Sequence, residues 1–427
     1  MTTGIATSSV SSDGGDDAVY YEQIDAGNAD TFQGSGYGVG LYGTGLYGVS
    51  KTSISTTSAR IWSHDRFGDL VISCAGNNSN IYSWDGDTTS APIVVENAPT
   101  GNYVFVTDNV VVVLGADGDE NKIAYSAQGS LTNWTTIRAG SDEIEGAGSF
   151  LSHGSTRGDN VLFTSNQTYS FTFLSSGAFP FRTRILDPNI GIIGQNARCS
   201  ALGVVYWMGK NNFYMWRGAG IEVIPSNTSR ECTALNYVFD DLNYSQKEKI
   251  FCWYNEKFQE VWWHYPSEAS NEPDRVVRIN IDDYVWTIDE FDRTCAEYPS
   301  ILTETPYLID SSSVLYLHET GMNDDGSGMD WNFATPYLYG GTDTIQISAF
   351  ITDQIMSGEF NVNLKTREYP RSSDSESKDY TIGTSTDRTA TEQNGRYWKF
   401  TLSGDDLNQQ LSLGQWYHEI KRSTPKS

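Results

Sequence analysis

Residues 204–216, Val204-Val-Tyr-Trp-Met-Gly-Lys-Asn-Asn-Phe-Tyr-Met-Trp216, read as two short apolar runs on either side of a polar turn, Gly209-Lys-Asn-Asn212. Runs of four or five β-branched and aromatic residues bounded by Gly and Asn are strands; a helix needs roughly ten or more residues. The unit returns at Ile250-Phe-Cys-Trp-Tyr254, with a turn at Asn255-Glu-Lys257 and a second strand over Phe258–Tyr265. Related pieces are Leu70-Val-Ile-Ser73 with Ile81-Tyr-Ser-Trp-Asp-Gly86, Val161-Leu-Phe163 with Tyr169-Ser-Phe171, and Val314-Leu-Tyr-Leu317. Counting starts at Leu70, Val112, Val161, Val204, Ile250 and Val314, the spacings are 42, 49, 43, 46 and 64 residues. Four of the five fall near the ~40–50 residues of a four-stranded propeller blade. The long fifth spacing accommodates a second hairpin, Val276–Ile281, turn Asp282-Asp283, then Tyr284–Ile288. No WD or kelch signature accompanies the period. The expected fold is all-β, with a β-propeller-like domain of about six units over residues 59–335.

The flanks read differently. Residues 1–58 are rich in Ser, Thr, Gly and Asp, with Lys51 as the one basic residue, and carry no sustained apolar pattern. They contain a repeat, Gly36-Tyr-Gly-Val-Gly-Leu-Tyr-Gly-Thr-Gly-Leu-Tyr-Gly48, in which Tyr37, Tyr42 and Tyr47 recur every five residues. The segment reads as a flexible N-terminal arm, and its tyrosines as candidate subunit contacts, since Tyr offers large area at low side-chain entropy. No GK[ST] follows the glycines, so a phosphate-cradling loop is not indicated. After about Thr335 strict alternation sets in, at Ile345-Gln-Ile-Ser-Ala-Phe-Ile351, Phe360-Asn-Val-Asn-Leu-Lys-Thr366 and Tyr397-Trp-Lys-Phe-Thr-Leu402. Alternation means half-buried antiparallel strands, so residues 336–427 are expected to form a separate small β domain resembling a sandwich, with Ser372–Lys378 as a loop. Helix is expected only near Cys232–Asn243, where Leu235, Val238, Phe239 and Leu242 share a face.

Composition agrees and narrows the function classes. Aromatics make up 13% of the 427 residues and charged residues only 19%, with 40 glycines, which favours strands and tight turns. Against 54 acidic side chains stand 28 basic ones, for a formal charge of −26. Gripping nucleic acid or an anionic membrane needs a local surplus of Lys and Arg, and no window supplies one. The start, Met1-Thr-Thr-Gly-Ile, lacks the basic and apolar regions of a signal peptide, and no apolar run approaches the ~18 residues of a membrane span. Sequons at Asn77, Asn133, Asn166, Asn227 and Asn243 are about what chance yields in such a chain.

Chemistry-bearing patterns are weak. Cys74, Cys199, Cys232, Cys252 and Cys295 are at least twenty residues apart with no CxxC, and read as buried thiols of a reduced compartment. His64, His153, His264, His318 and His418 fit no HExxH and flank no nucleophile, and read as structural or solvent-facing. Ser126–Trp134 is faintly like a sialidase Asp-box, but Gln128 replaces the Asp and the Trp is one residue late. Asp117-Gly-Asp119-Glu-Asn121 opens like an EF-hand, yet Lys122 stands where Gly is required and Gln128 where Glu is. Asp85-Gly86 and Asp117-Gly118 read as turns. No catalytic, metal or cofactor site is therefore assigned.

Several stretches together resemble the tail hub or nozzle proteins of short-tailed bacteriophages, the packaged-DNA stabilisation proteins. They are the glycine-tyrosine repeat followed by Ile61-Trp-Ser-His-Asp-Arg-Phe-Gly-Asp-Leu-Val71, then Val204–Gly209, Tyr237-Val-Phe-Asp-Asp-Leu-Asn243, Glu260-Val-Trp-Trp-His-Tyr-Pro-Ser267, Gly395-Arg-Tyr-Trp-Lys-Phe400 and Leu413-Gly414. The resemblance covers residue 34 to the end, and order and spacing carry it. It implies a homo-hexameric ring below portal and adaptor proteins in the virion tail, made in the host cytoplasm. Such a ring retains packaged DNA and passes it during ejection, with no enzymatic activity and no membrane insertion. DNA is then a passenger in an acidic channel. The basic tail residues Lys421, Arg422 and Lys426 are candidate partner-docking positions. The alternative is a carbohydrate-binding or carbohydrate-active propeller, such as a phage receptor-binding protein.

Overall fold

The computed structural model describes residues 27–31 and 58–422, apart from 88, 137, 157, 178, 227–233, 298–304, 325 and 408. The repeat Tyr37, Tyr42, Tyr47 lies outside the described residues. The chain divides into two compact units, the first ending at His318 and the second running from Glu319.

The first unit is a β-propeller of six sheets, each an antiparallel meander whose strand order follows the chain. Blade 1 runs from Ser63–Phe67 to Ile93–Val94, blade 2 from Tyr103–Thr107 to Gly140–Glu143, and blade 3 from Phe150–Ser155 to Phe181–Asp187. Blade 4 runs from Arg198–Ala201 to Ile221–Val223 and blade 5 from Phe251–Asn255 to Trp286–Glu290. These five have four strands each; blade 6 shows three among the described residues, Cys295–Glu297, Tyr307–Ile309 and Leu315–Leu317.

The apolar runs that fail to alternate do so because blade strands are buried on both faces. In Val110–Leu114, Val110, Val112 and Leu114 pack towards blade 3, with Leu162 and Phe171. Val111 and Val113 turn the other way, against Ile72 and Ile81 of blade 1. Blade 3 repeats the pattern: Leu162 looks back to blade 2, while Val161 and Phe163 join Val205 and Trp207 of blade 4. Val261 and Trp263 of blade 5 continue that cluster, and Trp262 packs the opposite way with Leu308 of blade 6. Fully burying one such side chain contributes roughly 1.5–3 kcal/mol, so these inter-blade layers are the principal apolar term holding the ring. Blades approach closely enough that a Cβ at Gly154 would stand 2.6 Å from Val205 Cγ1.

The irregular repeat spacing has a plain cause. Leu70, Val112, Val161 and Val204 all fall in the second strand of their blades, which gives the even intervals. Ile250 immediately precedes the first strand of blade 5, and Val314 borders the third strand of blade 6, so the last interval is stretched. The hairpin inferred at Val276–Ile288 is the outer half of blade 5, Arg275–Asn280 with Trp286–Glu290. The expected helix is present as Leu235–Asp241, and Val238, Leu235, Phe239 and Leu242 join the apolar cluster of blades 3 to 5. Asp117 and Gly118 take left-handed backbone angles (φ 56° and 81°) in the turn between two strands of blade 2. Asp117 there receives the Lys122 ammonium at 2.6 Å, so the calcium-like opening is an ion-paired turn.

The second unit is a sandwich. One sheet contains Phe360–Arg367 flanked by Glu376–Ile382 and Tyr397–Gly404; Trp331–Ala334 and Leu338–Tyr339 also pair with Tyr397–Gly404. The other sets Ile345–Ser357 between Thr389–Gly395 and Gln410–Arg422. The alternating side chains Ile345, Ile347 and Phe350 meet Phe360, Val362, Leu364, Phe400 and Leu402 in one core. Two details differ from the sequence reading. Trp331–Ala334 belongs to this sandwich, so the second unit takes in residues ahead of 336. Glu376–Lys378 is strand where a loop was expected: as an edge strand it keeps most of its side chains exposed, and no buried face marks it in the sequence.

Candidate functional site

The first strand of each meander is its innermost one. Ser63–Phe67 and Tyr103–Thr107 are linked by side chains rather than by a backbone ladder. The Val104 N–H donates to Ser63 Oγ at 2.9 Å and the Val106 N–H to Asp65 Oδ2 at 2.7 Å. Further round, the Cys252 N–H donates to the Asn196 carbonyl at 2.8 Å, and Gln195 Nε2 reaches the Trp62 carbonyl at 3.2 Å, joining blade 4 to blade 1.

These inner strands and the segments that lead into them line a half-open cavity of about 610 Å3. Its wall draws on Trp62 and His64 of blade 1, Tyr103 of blade 2, Arg198 of blade 4, Cys252 of blade 5 and Glu297 of blade 6. Size and position at the propeller axis match the general habit of ligand sites, which sit where several elements converge.

Two cations on this wall are treated differently. Lys249 is clamped by two carboxylates, Asp30 at 2.6 Å and Glu272 at 2.5 Å, and its side chain is only 8% exposed. Its neighbour Glu248 is pushed towards the neutral form by burial, opposed by Lys247. Arg198 instead donates to neutral groups: Nε to Ser152 Oγ at 3.1 Å and Nη2 to the Tyr103 phenol at 2.7 Å. The same phenol lies 3.1 Å from His153 Nδ1. A phenol that accepts from Arg198 keeps its own proton, which a neutral imidazole at His153 is placed to accept. Burial, reinforced by the Arg198 charge, holds the His153 pKa well below its ordinary value. His264 is also held well below, chiefly by burial and further by Arg293. It stacks on Phe251 at 4.5 Å and accepts from Trp253 Nε1 at 3.2 Å. Both histidines are held by neighbouring rings, His153 stacked on Phe105 at 4.0 Å and His264 on Phe251.

Among the described cysteines, Cys74 and Cys199 are buried and Cys252 is half-buried. Cys252 packs on the cluster that contains Cys199, and burial followed by that neighbouring thiol raises its pKa. Cys295 departs from expectation: it is exposed, because it lies on the first strand of blade 6 and points away from the Leu308 core. Cys232 lies outside the described residues. Ser126–Trp134 is a packed turn, with Ser126 Oγ accepting the Val111 N–H at 3.0 Å and Trp134 Nε1 donating to the Leu131 carbonyl at 2.9 Å.

Of the residues singled out in the sequence, Lys421 and Arg422 fall in the last strand of the second unit, paired with Gln346 and Ile345; Lys421 is exposed. Lys426, like Tyr37, Tyr42 and Tyr47, is outside the described residues. The sequence offered no sign of the Arg198–Tyr103–His153 network. Its members lie up to 95 residues apart, and the packing of blades 2, 3 and 4 brings them together.

No helix among the described residues is long and apolar enough to cross a membrane. No family model matches the chain, and no curated protein matches it. Among solved structures, Kluyveromyces lactis Hsv2 aligns at 9% identity over 60% of this chain and 72% of that one, with a TM-score of 0.38. Streptogramin B lyase aligns at 10% identity over 62% of this chain and 88% of that one, with a TM-score of 0.37. At that distance neither likeness brings an activity or a partner to this chain.

Proposed function

We propose that this chain is a structural, non-enzymatic component of a short-tailed phage tail, a hub or nozzle. In this reading six copies form a ring below portal and adaptor proteins, and the channel they surround retains packaged DNA and lets it pass at ejection. The observation that carries the reading is the order of the tail-protein motifs along the framework. Ile61–Val71 opens blade 1, Val204–Met208 is the second strand of blade 4, and Tyr237–Asn243 covers most of the inter-blade helix. Glu260–Tyr265 is the second strand of blade 5, and Tyr397–Phe400 begins a core strand of the sandwich. Charge supports the passenger role for DNA. A sixfold ring multiplies a formal charge of −26, and an acidic lumen repels phosphates where Lys and Arg would hold them.

Electron cryo-microscopy of the purified virion tests the proposal directly. Density for this chain in a six-copy ring on the tail axis is the expected result. Density at the periphery, or glycan turnover by the purified chain, would replace it with the carbohydrate-active reading.

A further inference from the structure

Arg198 is the one cation on the wall of the axial cavity without a carboxylate partner among the described residues. Nε and Nη2 are used by Ser152 and Tyr103, leaving the two N–H groups of Nη1 without a hydrogen-bond acceptor among the described residues. His153, 3.1 Å from the same phenol, is held towards its neutral form by burial and by the guanidinium itself, and so does not offset the charge. A guanidinium set among neutral groups in a partly desolvated cavity is costly unless an anion accompanies it. The fork is also fixed: two of its nitrogens are pinned by hydrogen bonds, which lowers the entropic cost of engaging the third.

The acids on the same wall do not cancel this charge. Glu272 is committed to Lys249, and Glu248 lies 3.8 Å from the Lys247 ammonium, which takes up its charge. That leaves Glu297, exposed on blade 6, as the remaining lining carboxylate. Beside the guanidinium wall, Trp62 and His64 stack with centroids 5.8 Å apart and planes 5° from parallel, adding a flat face to the cavity.

We infer that the axial cavity is a binding site for the oxyanion of a small ligand, a carboxylate or a phosphate, received by the guanidinium of Arg198. The cavity of about 610 Å3 lies within the range of small-molecule sites, roughly 300–1,000 Å3. The oxyanion accepts from Nη1, and the Trp62–His64 face packs against the body that carries it. This is independent of any role in a tail, since it needs only the folded first unit of one chain.

The test is titration calorimetry of the full chain with inorganic phosphate and, separately, with acetate, at constant ionic strength against chloride. Saturable binding at one site per chain is expected for at least one of the two, and the stronger arm identifies the oxyanion class. Arg198→Gln should weaken that binding at least about tenfold, the loss of one charge-assisted contact. Glu297→Gln removes a like charge from an exposed position and should tighten it by about threefold; this variant keeps the test decisive if Arg198→Gln fails to fold. No saturable binding of either anion, equal affinity in folded Arg198→Gln, or unchanged affinity in Glu297→Gln would each overturn the inference.

Discussion

Ser63 Oγ accepts the backbone N–H of Val104 at 2.9 Å, tying the innermost strand of blade 1 to that of blade 2 across 41 positions of sequence. Both residues are buried, Ser63 at 5% exposure and Val104 at none. Ser63→Ala therefore strands a buried donor, which costs about 1–3 kcal/mol. Urea unfolding should show the midpoint fall with the slope unchanged. Asp65→Ala, at the next rung, acts on the Val106 N–H at a half-exposed site and should cost less.

Gly154 has no room for a side chain. Its Cβ would meet Val205 Cγ1 of blade 4, and Phe163 lies behind at 3.5 Å. Gly154→Ala should destabilise by about 1–3 kcal/mol, the usual range for overpacking. Adding Val205→Ala should recover part of that loss, and a double-mutant cycle would read the coupling as favourable. Simple additivity would mean that the two blades are not in contact there.

Acidification should loosen the first unit. His153 and His264 are both held neutral, with folded pKa values below the unfolded value of about 6.5. A depressed histidine contributes stability that is complete above the unfolded pKa and is lost as pH falls towards the folded one. Below about pH 6.5 each such histidine therefore removes up to about 1.4 kcal/mol per pH unit. Melting midpoints between pH 7 and pH 5 should fall, and His264→Gln, if folded, should flatten the slope. A midpoint independent of pH over that window would contradict the neutral assignment.

The sandwich has its own keystone. Phe350 is fully buried, stacked on Trp416 at 5.1 Å and edge-on to Tyr380 and Phe400. Phe350→Ala should cost about 3–5 kcal/mol. Calorimetry should show one transition moving down while that of the propeller stays in place.

How far these features were legible in the sequence depends on what each strand faces. In the sandwich every strand has one wet face, so Phe360–Arg367 and Tyr397–Gly404 alternate and were readable directly. In the propeller, Val110–Leu114 and Val204–Met208 touch a blade on each side and lose their alternation, leaving only length, flanking turns and repeat spacing. Glu376–Ile382 gives no burial signal because it is an edge strand with mostly exposed side chains. In Gln410–Arg422, Leu411, Leu413 and Trp416 face the core, but a register shift between Leu413 and Trp416 breaks the alternation that would mark them. The cavity network escaped for another reason. Arg198, Tyr103 and His153 each look ordinary where they stand, and nothing local announces a contact made across three successive blades.

The way neighbouring blades are joined gives the ring a directional mechanics. Within a blade, hydrogen bonds run from the axis outwards, strand to strand, and resist being drawn apart. Between blades the cohesion is greasy and side-chain borne, with only isolated bridges such as Asn196–Phe251. Such contacts resist separation but yield to small sliding, because burial has no preferred direction. The propeller is thus stiffer along its radii than around its circumference. A load on the axis is shared by several shallow slips and does not concentrate on one seam.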